Sequence, residues 1–249
     1  MGDRKALSSA AAATMGRAMR KLGMIGGTSW LSTALYYEQI NKAVAKAKGG
    51  LSSAPLVIES LDLAPLAAWE LAGEWDKVGE TVAAAAARLE AAGAEGLIIC
   101  SNTTHKVAPA VEAATSVPVL HIADAAAERL AADGVRKAGL IGTRFTMNEG
   151  FFRDRIEARG IAVALPDEAT ATEIDRIIFE ELAKGQVSRN SQRRLKTCLT
   201  EMGKARQQAV ILGCTELVLL VDPGASVLPV YDTTAIHAAA AARWILADS

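Results

Sequence analysis

The feature that most constrains the fold of this chain is an internal duplication. Three pairs of segments match in the same order along the sequence: KLGMIGGT with KAGLIGT, AEGLIICSNT with AVILGCTE, and VPVLH with VLPVY. The middle pair aligns Ser101 with Cys214, and the outer pairs repeat at nearly the same spacing. A repeat of this kind is typical of one structural unit used twice. The two halves are therefore predicted to fold alike.

Each half alternates short apolar segments with longer helical ones. The apolar runs at 96–99, 139–141 and 210–212 are typical of strands buried in a parallel sheet. Helices are predicted between and around them at 32–46, 75–92, 123–132, 148–159, 173–183 and 191–204. Strand–helix alternation favours parallel sheets. The sequence thus predicts an α/β fold of two pseudo-symmetric domains, each a parallel sheet flanked by helices.

The domain boundaries follow from the repeat. We assign residues 21–117 together with 229–249 to the first domain, because the end of the chain completes a repeat and is expected to pack on the first half. Residues 118–228 form the second domain. Residues 1–20 are rich in Ala, Ser and Arg and lack apolar periodicity, so they are predicted to be a disordered or non-native extension.

Composition excludes several classes of function. With 51% apolar residues the chain can bury a sizeable core, and its net charge of −1 gives no electrostatic footprint for nucleic acid or an anionic membrane. No apolar run reaches the roughly 18–20 residues that span a bilayer. Three cysteines, an odd and sparse set, fit a cytoplasmic protein with reduced thiols. No Cys/His spacing predicts a metal site.

Polar residues follow two equivalent strands of the repeat. Ser101 to Thr104 come after the first-half strand, and Cys214 to Glu216 come after its second-half counterpart. Ligands of open α/β sheets bind at the carboxyl ends of strands, and backbone N–H groups at helix starts hold anions such as carboxylates. Ser101 and Cys214 are predicted to face one small ligand from opposite sides, which suits proton movement between the two faces of a carbon.

At these positions the sequence resembles the aspartate/glutamate racemases. The motifs are GGTSW from Gly26, CSNTTHK from Cys100 and GCTE from Gly213, and the resemblance runs from about 21 to 246. It implies a two-domain fold and amino-acid racemisation by 1,1-proton transfer without any cofactor, acting on a small amino acid or dicarboxylate. The substrate-binding residues it implies are Thr28, Ser29, Trp30, Glu70, Asn102, Thr103, Thr104, Lys184, Thr215 and Glu216.

The chain departs from the family in its thiols. Family members usually have one cysteine in each half, but here Ser101 holds the first-half position and Cys100 precedes it. Because successive side chains of a strand point to opposite faces, Cys100 is predicted to face the core. A thiol is a far stronger acid than a hydroxyl, and a helix N-terminus lowers its pKa. Cys214 is therefore the predicted thiolate base and Ser101 the opposing proton donor or relay, as in the L-specific aspartate/glutamate racemases that this chain resembles.

A second departure is Glu70, at a position where relatives often carry Gln or Arg. A carboxylate there would repel the distal carboxylate of an acidic substrate unless Lys184, Arg144 or Lys106 neutralises it. The side chain of the substrate therefore stays open, and so does the alternative that Glu70 is an exposed helical residue.

Two other functions stay open. A single thiol in the second half also fits a decarboxylase of arylmalonates or a cis–trans isomerase of maleate in the same superfamily. The chain could instead be a non-catalytic ligand-binding relic that lost turnover with its first cysteine. For partners we expect a small molecule, no nucleic acid and no membrane, and we leave a homodimer open as the assembly.

Overall fold

Two parallel sheets form the frame of the molecule. The computed structural model describes residues 18–247. The first sheet has the order β2-β1-β3 and the second the order β5-β4-β6-β7, with parallel pairing throughout. The strands are β1 (Leu22–Gly26), β2 (Leu56–Ser60), β3 (Gly96–Ile99), β4 (Lys137–Gly142), β5 (Ala162–Ala164), β6 (Ala209–Gly213) and β7 (Val230–Asp232). The predicted α/β fold with two parallel sheets is confirmed.

Helices connect the strands and cover both sheets. The α-helices are α1 (Trp30–Lys48), α2 (Leu63–Ala72), α3 (Trp75–Ala91), α4 (Ala108–Ala114), α5 (Ile122–Ala132), α6 (Arg144–Asn148), α7 (Gly150–Glu157), α8 (Glu168–Glu180), α9 (Arg189–Lys204) and α10 (Thr233–Leu246). Three short 3-10 turns occur at Thr103–Val107, Leu182–Lys184 and Thr215–Leu219. The first and last of these turns begin within the polar segments that follow β3 and β6.

The central strands are apolar because helices cover both of their faces. Every residue of β1, β3 and β6 is buried. On one face of the first sheet, Ile25 packs with Val82 of α3, and on the other face Met24 packs with Tyr36 of α1. Uninterrupted apolar strands of this kind are expected in a parallel sheet that lies between two helical layers.

The last helix of each half packs on the sheet of the other half. The segment before α5 belongs to the first sheet, where Val119 bridges to Leu97, yet α5 buries Leu130 in the core of the second domain. In the same way β7 extends the second sheet, whereas α10 buries Ala238 and Ile245 in the core of the first domain. The two exchanged helices also contact each other.

The predicted domain boundaries stay a prediction, and two segments near them pair differently from that assignment. Residues 229–249 were assigned to the first domain, and α10 does pack there, but β7 pairs with β6 of the second sheet. Conversely, Val119 was assigned to the second domain and instead bridges to the first sheet. The physical reason is that the extended segment at the end of each half pairs with the sheet of its own half, and the helix that follows it packs on the sheet of the other half. Of the predicted extension 1–20, residues 1–17 lie outside the described residues.

Between residues 18 and 247, no helix is both long enough and apolar enough to cross a lipid bilayer.

Candidate active site

A cavity of about 280 Å³ lies where the two halves meet. The loops that follow β1, β3, β4 and β6 line the cavity, which therefore lies at the carboxyl ends of strands from both sheets. All but one of the predicted site residues line it, namely Thr28, Ser29, Glu70, Ser101, Asn102, Thr103, Thr104, Lys184, Cys214, Thr215 and Glu216. The structure thus brings the two polar segments of the repeat to one place.

Trp30 is the predicted site residue that does not line the cavity. Its side chain is 70% exposed at the first position of α1. The buried face of this helix is formed by Ser32, Thr33 and Tyr36, which leaves the Trp30 side chain on the solvent side. The prediction that Trp30 contacts substrate stays a prediction that the position of its side chain does not support.

The turn after β1 is built around Gly27. Its φ of +78° lies in the left-handed region, and a Cβ at this position would come within 2.0 Å of the Leu61 carbonyl oxygen. Only glycine therefore fits here. The turn presents Thr28 and Ser29 to the cavity, and the Ser29 hydroxyl caps the start of α1 by accepting a hydrogen bond from the Ser32 amide.

Cys214 is 7% exposed and makes a hydrogen bond to an acidic neighbour. Its Sγ donates to Oε2 of Glu216 over 3.0 Å. The Thr215 hydroxyl donates to the same carboxylate oxygen and is itself hydrogen-bonded to Ser32 at 2.6 Å. This network holds the Glu216 carboxylate against the thiol.

The thiol of Cys214 is protonated at rest. Burial raises its pKa well above the usual range, and the charge and hydrogen bonding of Glu216 raise that pKa further. We expected a helix N-terminus to lower this pKa. The following element is only a five-residue 3-10 turn, Thr215–Leu219, and desolvation outweighs it. The Glu216 carboxylate is the hydrogen-bond acceptor of the thiol.

The Ser101 hydroxyl is held by Thr104. Its Oγ accepts hydrogen bonds from the Thr104 amide at 3.3 Å and from the Thr104 hydroxyl at 3.1 Å. Nδ1 of His105 donates to the Ser101 carbonyl, and Nε2 of the same ring accepts from the Ile122 amide at 3.2 Å. Burial lowers the pKa of His105 well below its usual range, so the ring is neutral. Its two hydrogen bonds hold the Ser101 segment in position.

Cys100 faces away from the cavity, as strand alternation predicted. It is fully buried in the core formed by Met24, Tyr36, Ile98 and their neighbours. Burial raises the pKa of its thiol, so Cys100 stays protonated. The prediction that Cys100 is a core residue is confirmed.

Two buried polar groups of the cavity have no hydrogen-bond partner within the described residues, the Thr28 hydroxyl and the Asn102 Nδ2. The Asn102 Oδ1 accepts a hydrogen bond from the Thr233 hydroxyl at 3.1 Å, which fixes the amide and leaves its N–H groups free. An unsatisfied buried polar group costs about 1–3 kcal/mol. A ligand with acceptor oxygens, such as a carboxylate, would remove that cost.

Glu70 is only 6% exposed and lines the cavity from α2, so it is not an exposed helical residue. Burial raises the pKa of its carboxyl to about 7, and the neighbouring Thr104 and the charge of Lys106 lower it by less. Near neutral pH much of the carboxyl is therefore uncharged. The repulsion that we expected between Glu70 and an acidic substrate is correspondingly weakened.

The three candidate cations are placed differently. Lys184 lines the same cavity as Glu70. Lys106 forms an ion pair with Glu149 at 2.6 Å and lies 3.8 Å from the centre of the Trp75 ring. Arg144 pairs instead with Asp175 at 3.8 Å. Lys184 is thus the candidate cation that lines the cavity, Lys106 acts on Glu70 only through its charge, and Arg144 pairs elsewhere.

Sequence reasoning missed several residues that line the cavity. Thr143 follows β4, and its hydroxyl is 2.9 Å from that of Thr103, which links the two halves. The duplication contained the signal, because Thr143 occupies the position of Thr28 in the second repeat. Phe179 and Ala183 also line the cavity, and no motif marked them. Across residues 18–247 no three His, Cys, Asp or Glu side chains form a group that could hold a metal ion.

Comparison with known proteins identifies the family. Residues 25–241 match the family described as Asp/Glu/Hydantoin racemase, and this range contains the cavity-lining segments of both halves. The chain belongs to this family. The resemblance inferred from its motifs is confirmed.

Solved structures agree with the Asp/Glu racemase assignment. A candidate Asp/Glu racemase from Yersinia pestis is 43% identical, with a TM-score of 0.87 over 92% of this chain and 100% of that one. An aspartate racemase homologue from Pyrococcus horikoshii is 33% identical, with a TM-score of 0.78 over the same shares. An arylmalonate decarboxylase shares the fold at 15% identity, with a TM-score of 0.51 over 92% of this chain and 94% of that one. The fold of the Asp/Glu racemase family therefore occurs with more than one chemistry.

Proposed function

We propose that this protein is a cofactor-independent amino-acid racemase that moves a proton between the two faces of an α-carbon. The observation that carries the proposal is the placement of Cys214 and Ser101. They occupy equivalent positions in the two repeats and line one cavity at the junction of the halves. One group that removes a proton and a second that supplies one from the other side are what a 1,1-proton transfer requires.

Cys214 is the proposed base for the L-enantiomer. Its thiol proton passes to the Glu216 carboxylate, to which it is already hydrogen-bonded, and the resulting thiolate takes the α-proton. The α-proton is removed by a base that is held in position. General-base catalysis of this kind raises the reaction rate by about 10²–10⁴-fold. The adjacent carboxylate keeps the thiol protonated until substrate arrives.

Ser101 is the proposed proton donor on the opposite face. Its oxygen accepts both hydrogen bonds from Thr104, so its own proton is free to point at a ligand in the cavity. A serine hydroxyl is too weak an acid to rest as an alkoxide, which makes the two faces chemically unequal. We therefore expect the enzyme to work faster from the L-enantiomer than from the D-enantiomer.

The substrate carboxylate is assigned to Asn102 and Thr28, whose buried donors lack partners within the described residues. Thr103 and Thr104 add hydroxyls to the same wall, and Lys184 adds a positive charge. Donors fixed in advance stabilise the negative charge that develops when the α-proton leaves. This arrangement supports an α-carboxylate ligand, and the distal group of the substrate would lie towards Glu70 and Lys184.

A second candidate keeps the cavity and changes the reaction. One buried thiol in the second half is also enough for a decarboxylase or a cis–trans isomerase of a dicarboxylic acid, and an arylmalonate decarboxylase shares this fold. In that function Ser101 would not transfer a proton to an α-carbon. In a non-catalytic ligand-binding protein neither Cys214 nor Ser101 would transfer a proton.

The test is proton exchange at Cα in D₂O. L- and D-aspartate, L- and D-glutamate and a set of neutral amino acids are each incubated with the protein, and loss of the α-proton signal is followed by NMR. A racemase labels Cα and interconverts the enantiomers. A decarboxylase releases CO₂ from an arylmalonate, an isomerase converts maleate, and neither labels an amino acid. Binding of an amino acid without exchange would identify a ligand-binding protein.

A further inference from the structure

The wall of the cavity has two parts. Loops at the strand ends supply Ser101, Cys214 and the polar residues beside them. The other part comes from helix α2 of the first half and from α8 with the 3-10 turn that follows it in the second half, and we call it the helical wall. Its cavity-lining residues are Leu63, Ala67, Glu70, Ile178, Phe179, Ala183 and Lys184. Because the reacting groups lie on the strand-end loops, the helical wall is the part left to contact the side chain of a substrate.

Glu70 and Lys184 are the two polar residues of the helical wall. The Glu70 side chain is 6% exposed, whereas Lys184 is open to solvent. Within residues 18–247 neither side chain forms an ion pair, and Thr104 beside Glu70 donates its hydroxyl proton to Ser101 instead. A buried polar group without a partner is costly. The helical wall therefore offers a ligand one buried acceptor and one donor.

We infer that the helical wall selects an amino acid whose side chain ends in a carboxamide, such as glutamine or asparagine. This inference rests on the proposed racemase function. The amide NH₂ donates a hydrogen bond to the carboxyl of Glu70, and the amide oxygen accepts one from Nζ of Lys184. Glu70 and Lys184 thus determine specificity and take no part in the proton transfer.

Other distal groups satisfy only one of the two residues. A carboxylate of the same shape pairs with Lys184 but places a like charge against Glu70, and an ammonium group does the reverse. An apolar end leaves the buried Glu70 carboxyl without a partner. Near neutral pH Glu70 is present in both its protonated and its ionised form, and each form has an oxygen that accepts from an amide. The carboxamide is therefore the group that suits both residues.

The test compares isosteric substrates in D₂O. Values of kcat/KM for α-proton exchange are measured for L-glutamine against L-glutamate and for L-asparagine against L-aspartate, with L-ornithine as the cationic substrate. In the pair that the wild-type protein exchanges faster, we expect the amide to exceed the acid by about 10-fold or more. Glu70→Gln should lower this ratio about 10-fold, because the charge that opposes the acid is gone. Lys184→Met should raise the ratio, because the acid loses its counter-charge.

Glu74→Gln is the matched control, since Glu74 lies just past α2 and pairs with Lys77 on the surface. It should leave the ratio of amide to acid unchanged. A merely structural role of Glu70 would change both rates together, so an unchanged ratio in a folded Glu70→Gln protein would overturn the inference.

The proposed function and this inference fail in different ways. Faster exchange of an acid or of ornithine than of either amide by the wild-type protein would overturn the carboxamide specificity and leave the racemase function standing. Absence of exchange with every amino acid would overturn the proposed function and the specificity with it.

Discussion

The Sγ of Cys214 donates a hydrogen bond to Oε2 of Glu216 over 3.0 Å. The acidic neighbour has two opposite effects on the thiol. Its negative charge holds the pKa of Cys214 high, and its free lone pairs offer the thiol proton a place to go. The first effect opposes thiolate formation, and under the proposed function the second gives the thiol proton an acceptor when substrate is bound.

The first prediction separates these effects with Glu216→Gln. Alkylation of Cys214 by iodoacetamide should reach half its maximal rate at lower pH in the variant, because the charge that raises the pKa of the thiol is gone. L-side exchange should nevertheless fall, by about 10²-fold, because the proton acceptor is gone too. Mass spectrometry of the Cys214 peptide and NMR in D₂O give the two readouts. Glu201→Gln, a surface change on α9, is the control. Alkylation and exchange that shift in the same direction would contradict this account.

The second prediction compares the cavity thiol of Cys214 with the core thiol of Cys100. Cys214→Ala should abolish α-proton exchange, because it removes the base. Cys100→Ala should leave exchange largely intact, because that side chain lies in the core behind β3. Removing a buried sulfur costs stability, so a thermal melt should accompany each assay. Equal loss of activity in two folded variants would show that Cys100 takes part in the chemistry.

The third prediction tests the chemical inequality of the faces. Ser101→Cys should raise D-side exchange by about 10²-fold or more while L-side exchange changes little, because it gives the first half a thiol like that of the second. Initial rates from each enantiomer in D₂O provide the measurement. If D-side exchange stays the same in a folded variant that binds ligand, Ser101 does not face the α-carbon, and the decarboxylase or isomerase function becomes the better proposal.

The fourth prediction concerns stability and pH. Glu70 has a folded-state pKa of about 7, above its ordinary value of 4.5. The folded protein therefore binds a proton that the unfolded chain releases, so its stability is greatest below the ordinary pKa and falls as pH rises through 7. Glu70→Gln should remove this part of the pH dependence, worth up to roughly 3 kcal/mol between pH 4.5 and 8. Urea unfolding of both proteins at the two pH values measures this difference. An equal change in the free energy of unfolding of both proteins between the two pH values would contradict the prediction.

The duplication predicted more of the structure than any single motif. Strand–helix alternation in two related halves predicted two parallel sheets, and the match of Ser101 with Cys214 predicted a shared ligand site at their carboxyl ends. Strand alternation likewise predicted that Cys100 faces the core. These inferences depend on backbone geometry, which a repeat preserves.

Other features could not be predicted because they depend on tertiary packing. Periodicity shows that a helix has an apolar face and does not show which sheet that face covers, so the exchange of α5 and α10 was not visible. Helix α2 is apolar almost all round, which left the direction of Glu70 undetermined. The sign of the Cys214 pKa shift depends on how much water the folded cavity excludes. Trp30 is the last residue of the GGTSW motif, but its position in the first turn of α1 directs its side chain towards solvent.

The exchanged helices also bear on how such a chain could arise. One repeat on its own would leave an apolar sheet face bare where the other repeat's helix belongs. A half-length protein could cover that face by trading helices with a second copy, which is the arrangement of a domain-swapped dimer with two-fold symmetry. Its cavity would have been symmetric, with the same residue on both sides. In a single chain the two sides are able to differ, and the pairing of a serine with a cysteine in a single cavity is a difference that a symmetric dimer cannot encode.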